Sequence, residues 1–372
     1  MRLNAALAAL VATCLLIVAT QAAAGGGKYP PAPSSGGGKY PPAPSGGQHL
    51  KVGYYDNAKK YGSVERIVRD VVNKALGADR SKGAALVRLF FHDCWVNGCD
   101  GSVLLDASPR NPYPEKKAGA NLGLRGFDVI EAIKSRLESA YPGVVSCSDI
   151  LAFAARDATR YLSDGHIDYA VPAGRLDGVV SRAHDADATL PGQTFSFGDL
   201  KRNFDRKKFT VEELVVLSGA HSIGAAHYES FKDRLAASAA ARGEIDGRYQ
   251  AALKNAARDR SRLVANDVRD ESYAFRRDAG YYPPPAVTGA GRRDYLNNTY
   301  YHNAVDNRVL FRSDWALRTD AFAFSKVKEY RDKPKEWDSD FADAMVKLSK
   351  LPGEGKDFEI RKKCSAVNPT RH

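Results

Sequence analysis

Cysteine is scarce in this chain: five in 372 residues, one of which, Cys14, lies inside an apolar stretch at the amino terminus. That leaves Cys94, Cys99, Cys147 and Cys364, an even set. Long apolar runs are equally rare. The clearest is Ala5 to Thr20, preceded by Arg2 and followed by Ala22-Ala23-Ala24, the pattern of a secretory signal peptide over residues 1–24. Its core is too short for a membrane anchor, and no later stretch approaches a span, so a membrane role is excluded. An aromatic-basic recognition motif is also missing. The formal charge of +11 and pI near 9.3 come from scattered Lys and Arg, which excludes nucleic acid and points to extracellular polyanions such as acidic cell-wall polysaccharide. A secreted chain keeps its cysteines as disulfides rather than metal thiolates.

Residues 25–34, Gly-Gly-Gly-Lys-Tyr-Pro-Pro-Ala-Pro-Ser, recur as residues 36–45. Such a segment cannot bury apolar area, so residues 25–48 read as a tail: a spacer, or a tether whose Tyr29 and Tyr40 meet the extracellular matrix. The globular part, 49–372, is about 320 residues, enough for one or two domains.

That part reads as mostly helical. Ser63 is placed to cap a helix over Val64, Ile67, Val68, Val71 and Val72. Phe127 to Ala140 forms another, stopped by Pro142-Gly143. Ser146 with Asp149 opens a third, and a fourth runs from about Ser196 to Phe204. Thr210 and Glu213 have capping-box spacing for a fifth, with Gly219 suited to ending it and His221 next. Residues 236 to 290, with Pro283-Pro284-Pro285, read as including a surface insertion, and Ser339 caps a last helix over Phe341 and Met345.

The chemistry gathers at Arg88-Leu-Phe-Phe-His92-Asp-Cys-Trp-Val-Asn-Gly-Cys-Asp-Gly-Ser102. If this run is helical, Arg88, Phe91 and His92 share one face, with a fixed charge, an aromatic wall and an imidazole. Asp93, Asp100 and Ser102, with Gly98 and the turn around Val96, have the composition of an oxygen cage for a hard cation. Cys94 and Cys99 are close enough to clip it shut. Zinc on His92 and the two cysteines is the competing reading, and the oxidising compartment weighs against it. A second apolar segment, Leu214 to Ala220, delivers His221, as a cofactor held between two half-molecules would require.

From about residue 50 to residue 368 the chain resembles the secretory (class III) plant haem peroxidases, of the horseradish peroxidase type. The first stretch is similar to the family's distal haem motif with its calcium loop, and Leu217-Ser-Gly-Ala-His221-Ser-Ile-Gly224 to its proximal motif. Val145 to Leu151, Val171 to Asp177, Leu190-Pro191 and Leu310-Phe-Arg-Ser-Asp314 occur in the family's order. The resemblance implies two helical halves around one haem b, distal about 49–190 and proximal about 191–340, with a carboxy-terminal segment tied back by a disulfide. It implies His221 as iron ligand with Asp314 behind it, His92 as acid-base group and Arg88 as charge stabiliser. Asn121 would orient His92, and Phe91 completes the distal wall. Asp93, Val96, Gly98, Asp100 and Ser102 would hold a distal calcium with Glu115 near, and Pro191 would contact the donor. Hydrogen peroxide and small phenolic donors are the implied partners of a monomer in the cell wall.

The chain also departs from that family. Four of the family's eight cysteines are absent: Tyr61 and Tyr141 stand for one pair, Tyr228 and a position near Ala257 for another, so Cys94–Cys99 and Cys147–Cys364 are implied. Ser222 keeps a hydroxyl for a proximal calcium. However, Arg292 and Asn297 stand where threonine and aspartate ligands belong, so that site is expected to be weak, altered or empty. Trp95 replaces a phenylalanine, and His227 sits where an amide often approaches a propionate. These departures motivate an alternative, a wall-associated structural or binding protein on the same scaffold with impaired activity.

Overall fold

The structure, a computed structural model, describes residues 49–56, 63–281 and 292–369. The signal peptide, the repeat tail, Tyr61 and the triple proline lie outside the described residues. Four helices come first: α1 (Val64–Ala78), α2 (Ser81–Asn97), α3 (Phe127–Ala140) and α4 (Cys147–Leu162). The chain continues through α5 (Ala183–Thr189), α6 (Phe197–Arg206), α7 (Val211–Ser218), α8 (Ala237–Ala241), α9 (Gly247–Ala256) and α10 (Tyr273–Asp278). It closes with α11 (Thr299–Val305), α12 (Arg312–Ala316), α13 (Ala321–Asp332) and α14 (Pro334–Leu348). Among the described residues, strand is confined to three two-stranded antiparallel ladders. The fold is mostly α with very little β, as the resemblance implies.

Helix α4 organises the core. Ser146 Oγ accepts from Asp149 N (3.1 Å) to start it, and every residue from Cys147 to Thr159 is buried, with α1 and α2 packed against it. A helix so covered must satisfy its polar side chains internally. Asp149 does so by accepting from the Tyr55 hydroxyl (2.7 Å), Gly174 N (2.8 Å) and Arg175 Nη1 (2.8 Å). Arg175 Nε donates onward to Ser349 O at the end of α14 (3.1 Å). The two motifs around Asp149 and Arg175 are therefore halves of one buried ion pair that joins distant parts of the chain.

Three sequence expectations change. Ser339 lies inside α14, which already starts at Pro334, a residue pre-set for the first helical position, so Ser339 does not cap it. Ser63 does occupy the position before α1, but its hydroxyl meets the Tyr141 hydroxyl instead of capping the helix. Tyr141 thus contacts the chain two residues from Tyr61, near where the resemblance places a lost disulfide. The stretch read as a surface insertion is not superficial over its described part: Ile245, Tyr249, Leu253, Val268, Phe275 and Tyr281 are buried in a second apolar cluster with Phe231 and Leu310.

Candidate active site

On α2 the apolar faces are spent on packing: Leu86, Val87, Leu89, Phe90, Cys94 and Trp95 are buried. The remaining face carries exposed Arg88 with half-buried Phe91 and His92. Asn121 fixes the imidazole. Its Nδ2 donates to Glu115 O (2.8 Å), which turns Oδ1 toward His92 Nδ1 at 2.6 Å. Nδ1 must then carry the proton, and Nε2 is the acceptor. Arg88 Nε lies 3.2 Å from that Nε2, and Arg88 Nη2 donates to Ala120 O (3.1 Å). Burial first, and the Arg88 charge second, push His92 down to about 3, so the ring is neutral. Phe91 stacks on Trp95 with centroids 4.8 Å apart, and the extra N–H that Trp95 brings is satisfied by Asn203 Oδ1 at 2.8 Å.

The second histidine is delivered by α7, which opens with a capping box between Thr210 and Glu213 and runs into a 3₁₀ turn, Gly219–Ser222. Gly219 does not end the helix in a left-handed conformation; its φ is −57°. It is needed for close approach instead, because a Cβ there would lie 2.6 Å from Trp337 Nε1 and 2.7 Å from the Tyr301 hydroxyl. His221 Nδ1 is 2.8 Å from Asp314 Oδ1, which also accepts from the Tyr300 hydroxyl (3.1 Å). Burial disfavours charge on His221, but the charge and hydrogen bond of buried Asp314 overcome it and raise its pKa, while Arg88 acts in the opposite sense. The Nε2 of His221 is the nitrogen left for a ligand, which fits an axial haem ligand oriented by a carboxylate. Pro191 lies half-buried in the connection between α5 and α6; two residues on, Gln193 O accepts from Ser313 N (3.0 Å), beside the Asp314 segment.

Beyond His92 the chain closes into a buried acidic loop. Cys94 and Cys99 are joined by a disulfide, so they are not zinc ligands. Asp93 accepts from Gly101 N (3.0 Å) and Val103 N (3.4 Å), and Asp100 from Ser102 N (2.9 Å). Ser102 Oγ and Glu115 Oε2 are buried without a hydrogen-bond partner. Burial, reinforced by neighbouring acid charge, holds Asp93 and Glu115 well above the usual carboxylate range, and burial lifts Asp100 up to about 6. Buried carboxylates with orphaned oxygens fit a hard cation. No group of three or more His, Cys, Asp or Glu able to hold a metal occurs among the described residues, so the donor set would have to include hydroxyl and carbonyl oxygens. The Val96 carbonyl also accepts from Lys207 Nζ (2.9 Å). Gly98 is required by packing: a Cβ would fall 1.8 Å from Pro352 O.

Sequence reasoning missed Arg361. It is fully buried, donates from Nη2 to Gly101 O (2.5 Å) and from its backbone N to Asp177 Oδ2 (2.9 Å), while Asp177 Oδ1 accepts from Ser148 N (2.9 Å). The position of an Arg three residues before Cys364 was the available signal, since the Cys147–Cys364 disulfide brings that segment to the start of α4. On the other side, Tyr228, which by the resemblance replaces a family cysteine, lies 4.9 Å under the Arg260 guanidinium, just beyond Ala257. His227 is exposed and lies beside Gly123.

Fold and site together describe a helical enzyme with one histidine paired to an arginine and an amide and another backed by a carboxylate. A family model described as Peroxidase matches residues 68–333. The chain is 39% identical over 322 residues to Peroxidase 2 of Zea mays, covering 86% of this chain and 89% of that one. It is 39% identical over 323 residues to Peroxidase 5 of Vitis vinifera (86% and 92% covered). To Peroxidase 1 of Oryza sativa subsp. japonica it is 40% identical over 312 residues (82% and 90% covered). The chain belongs to the peroxidase family, among the plant class III enzymes, and is a hydrogen-peroxide-dependent peroxidase. The family implies haem, and its class III members also carry calcium. The alternative of an impaired scaffold protein gains no support from these relatives. No helix among the described residues is long and apolar enough to cross a membrane.

Proposed function

We propose that the protein is a secreted peroxidase that oxidises small phenolic donors in one-electron steps, with Arg88, His92, Asn121, His221 and Asp314 as its working residues. Haem, when bound, supplies the iron centre that accepts the oxidising equivalents of hydrogen peroxide and passes them to donors. His221 would hold it through Nε2, with the Nδ1 hydrogen bond to Asp314 making the imidazole a stronger electron donor. His92 would take a proton from hydrogen peroxide at Nε2 and return it to the departing oxygen, which leaves as water. Arg88 would stabilise the negative charge that grows on that oxygen. Asn121 would keep the tautomer that leaves Nε2 free, and Phe91 would wall the reaction from solvent. The balance is one hydrogen peroxide and two phenols giving two waters and two phenoxyl radicals.

Asp93, Val96, Gly98, Asp100 and Ser102 would hold one calcium, and Pro191 would contact the donor. Secretion, a tail that serves as spacer or tether, the two-half division around haem and a monomeric state are carried over from the sequence reading; the excess positive charge suits acidic polysaccharide. The observation that carries the proposal is the pair of oriented imidazoles, His92 on Asn121 and His221 on Asp314, with Arg88 beside His92. The test is the absorption spectrum of the purified protein. A Soret band that shifts on adding hydrogen peroxide and returns on adding a phenol is expected. A protein without a haem band, or one whose band ignores peroxide, would overturn the proposal.

A further inference from the structure

The residue after His221 is where the resemblance implies a second, proximal calcium, and the side chains expected to hold it are engaged elsewhere. Arg292 turns outward and pairs with Asp164, its Nη1 2.6 and 2.7 Å from the two carboxylate oxygens. Asn297 Oδ1 accepts from Thr299 N (3.0 Å) and Thr299 Oγ1 (2.6 Å). Ser222 Oγ, buried without a hydrogen-bond partner, is what remains of the implied ligand set.

A different cation is present. Arg269, 7% exposed, donates from Nη2 to the Tyr295 carbonyl (2.7 Å) and from Nη1 to Thr299 Oγ1 (3.4 Å). The same guanidinium lies 3.4 Å from Asp267 Oδ2 and 3.6 Å from Asp270 Oδ1. One carbonyl, one hydroxyl and two carboxylates around a single positive centre are the kinds of oxygen donor that calcium takes. A planar guanidinium faces the same oxygens from one position: it is hydrogen-bonded to the Tyr295 carbonyl and Thr299 Oγ1 and paired by charge with the two carboxylates, while Asp267 Oδ2 and its own Nε keep no hydrogen-bond partner. The network reaches the histidine turn: Asp270 Oδ2 accepts from Asp294 N (2.7 Å), and Asp294 Oδ1 accepts from Gly224 N (2.7 Å), three residues past His221.

We infer that Arg269 takes the place of the second calcium, so that this peroxidase carries metal on the distal side only and holds its His221 turn by an internal guanidinium. A calcium among these oxygens would sit against that charge in a poorly screened interior. Arg269 also cannot be lost by dilution or chelation, which makes the proximal side indifferent to calcium supply.

The test is the calcium content of the purified holoenzyme by atomic emission, with and without Asp93→Asn. One calcium per chain that disappears in Asp93→Asn is expected. Two per chain, or a calcium retained by Asp93→Asn, would overturn the inference. If Asp93→Asn does not fold, the count on the natural protein decides. Arg269→Gln adds a second measurement, with the melting temperature expected to fall by about 5 °C and excess calcium unable to restore it; an unchanged melting temperature, or full rescue by calcium, counts against it. The calcium count does not depend on His221 or His92 acting as proposed, so it can fail while the peroxidase cycle stands.

Discussion

Two acidic clusters, one on each side of the site, gather buried carboxylates, and they differ in how that charge is met. On the distal side Asp93, Asp100 and Glu115 sit with an orphaned Ser102 hydroxyl, clipped by Cys94–Cys99 and backed by buried Arg361. On the proximal side Arg269 pairs with Asp267 and Asp270, Asp270 accepts from Asp294 N, and Tyr228 with Arg260 stands where the resemblance places a lost disulfide. Both sides keep orphaned buried oxygens, Ser102 Oγ and Glu115 Oε2 distally and Ser222 Oγ and Asp267 Oδ2 proximally, but the distal set has no guanidinium between its carboxylates and fits an exchangeable cation. The proximal loop has an arginine among its oxygens. A divalent ion and a guanidinium solve the same electrostatic problem, but only the ion can be removed by a chelator.

The largest expected effect tests the distal chemistry. His92→Leu, and separately Arg88→Leu, should each lower the stopped-flow rate with hydrogen peroxide by about two orders of magnitude or more, with haem still bound through His221. A loss under tenfold for either would remove it from the acid-base and charge-stabilising roles. Chelation comes next. Removing calcium from protein held at about a hundredfold excess over its dissociation constant should cost about 2.7 kcal/mol, seen as a lower melting temperature. Because His92 precedes Asp93 directly, peroxide reactivity should fall with it; a chelated enzyme with unchanged kinetics would break the link between loop and histidine.

The proximal predictions are smaller. Gly219→Ala should destabilise by about 1–3 kcal/mol in chemical denaturation, since its Cβ has no room beside Trp337 and Tyr301. The pH response separates the two loops further. Burial lifts Asp270 up to about 7, with Asp267 and Asp294 charges adding and Arg269 opposing. Its folded pKa is thus above its unfolded value of 3.8, so the folded state holds the extra proton between about pH 4 and pH 7. Stability should fall as pH rises through that window, by up to about 1.4 kcal/mol per unit, and saturating calcium should not cancel it. Asp270→Asn should flatten the curve; an identical slope in the variant would assign the dependence elsewhere. Arg260→Gln is the smallest, about 0.5–1 kcal/mol for the lost contact with Tyr228.

Helix starts and the catalytic face could be read directly because they depend on near neighbours. Ser146 with Asp149 and Thr210 with Glu213 cap as their spacing suggests. Ser63 shows the limit of such reading: its spacing is right for a cap, but a tyrosine far along the chain supplies a competing hydroxyl. Gly219 was legible as a special position and misleading as to why, since Trp337 and Tyr301, which forbid a side chain there, come from helices more than eighty residues away.

By itself the sequence determined the chemistry on each short segment: Arg88 and His92 a helical turn apart, acids following directly, and a second histidine after a capped apolar helix. It also determined the family, because several such segments follow one another in register. Only the tertiary structure decided which charge meets which. The pairing of Asp149 with Arg175, the hold of Arg361 on the distal loop and the seat of Arg269 among proximal oxygens join residues whose spacing in the chain carries no period. Such pairs form because a buried charge must find a partner wherever packing offers one.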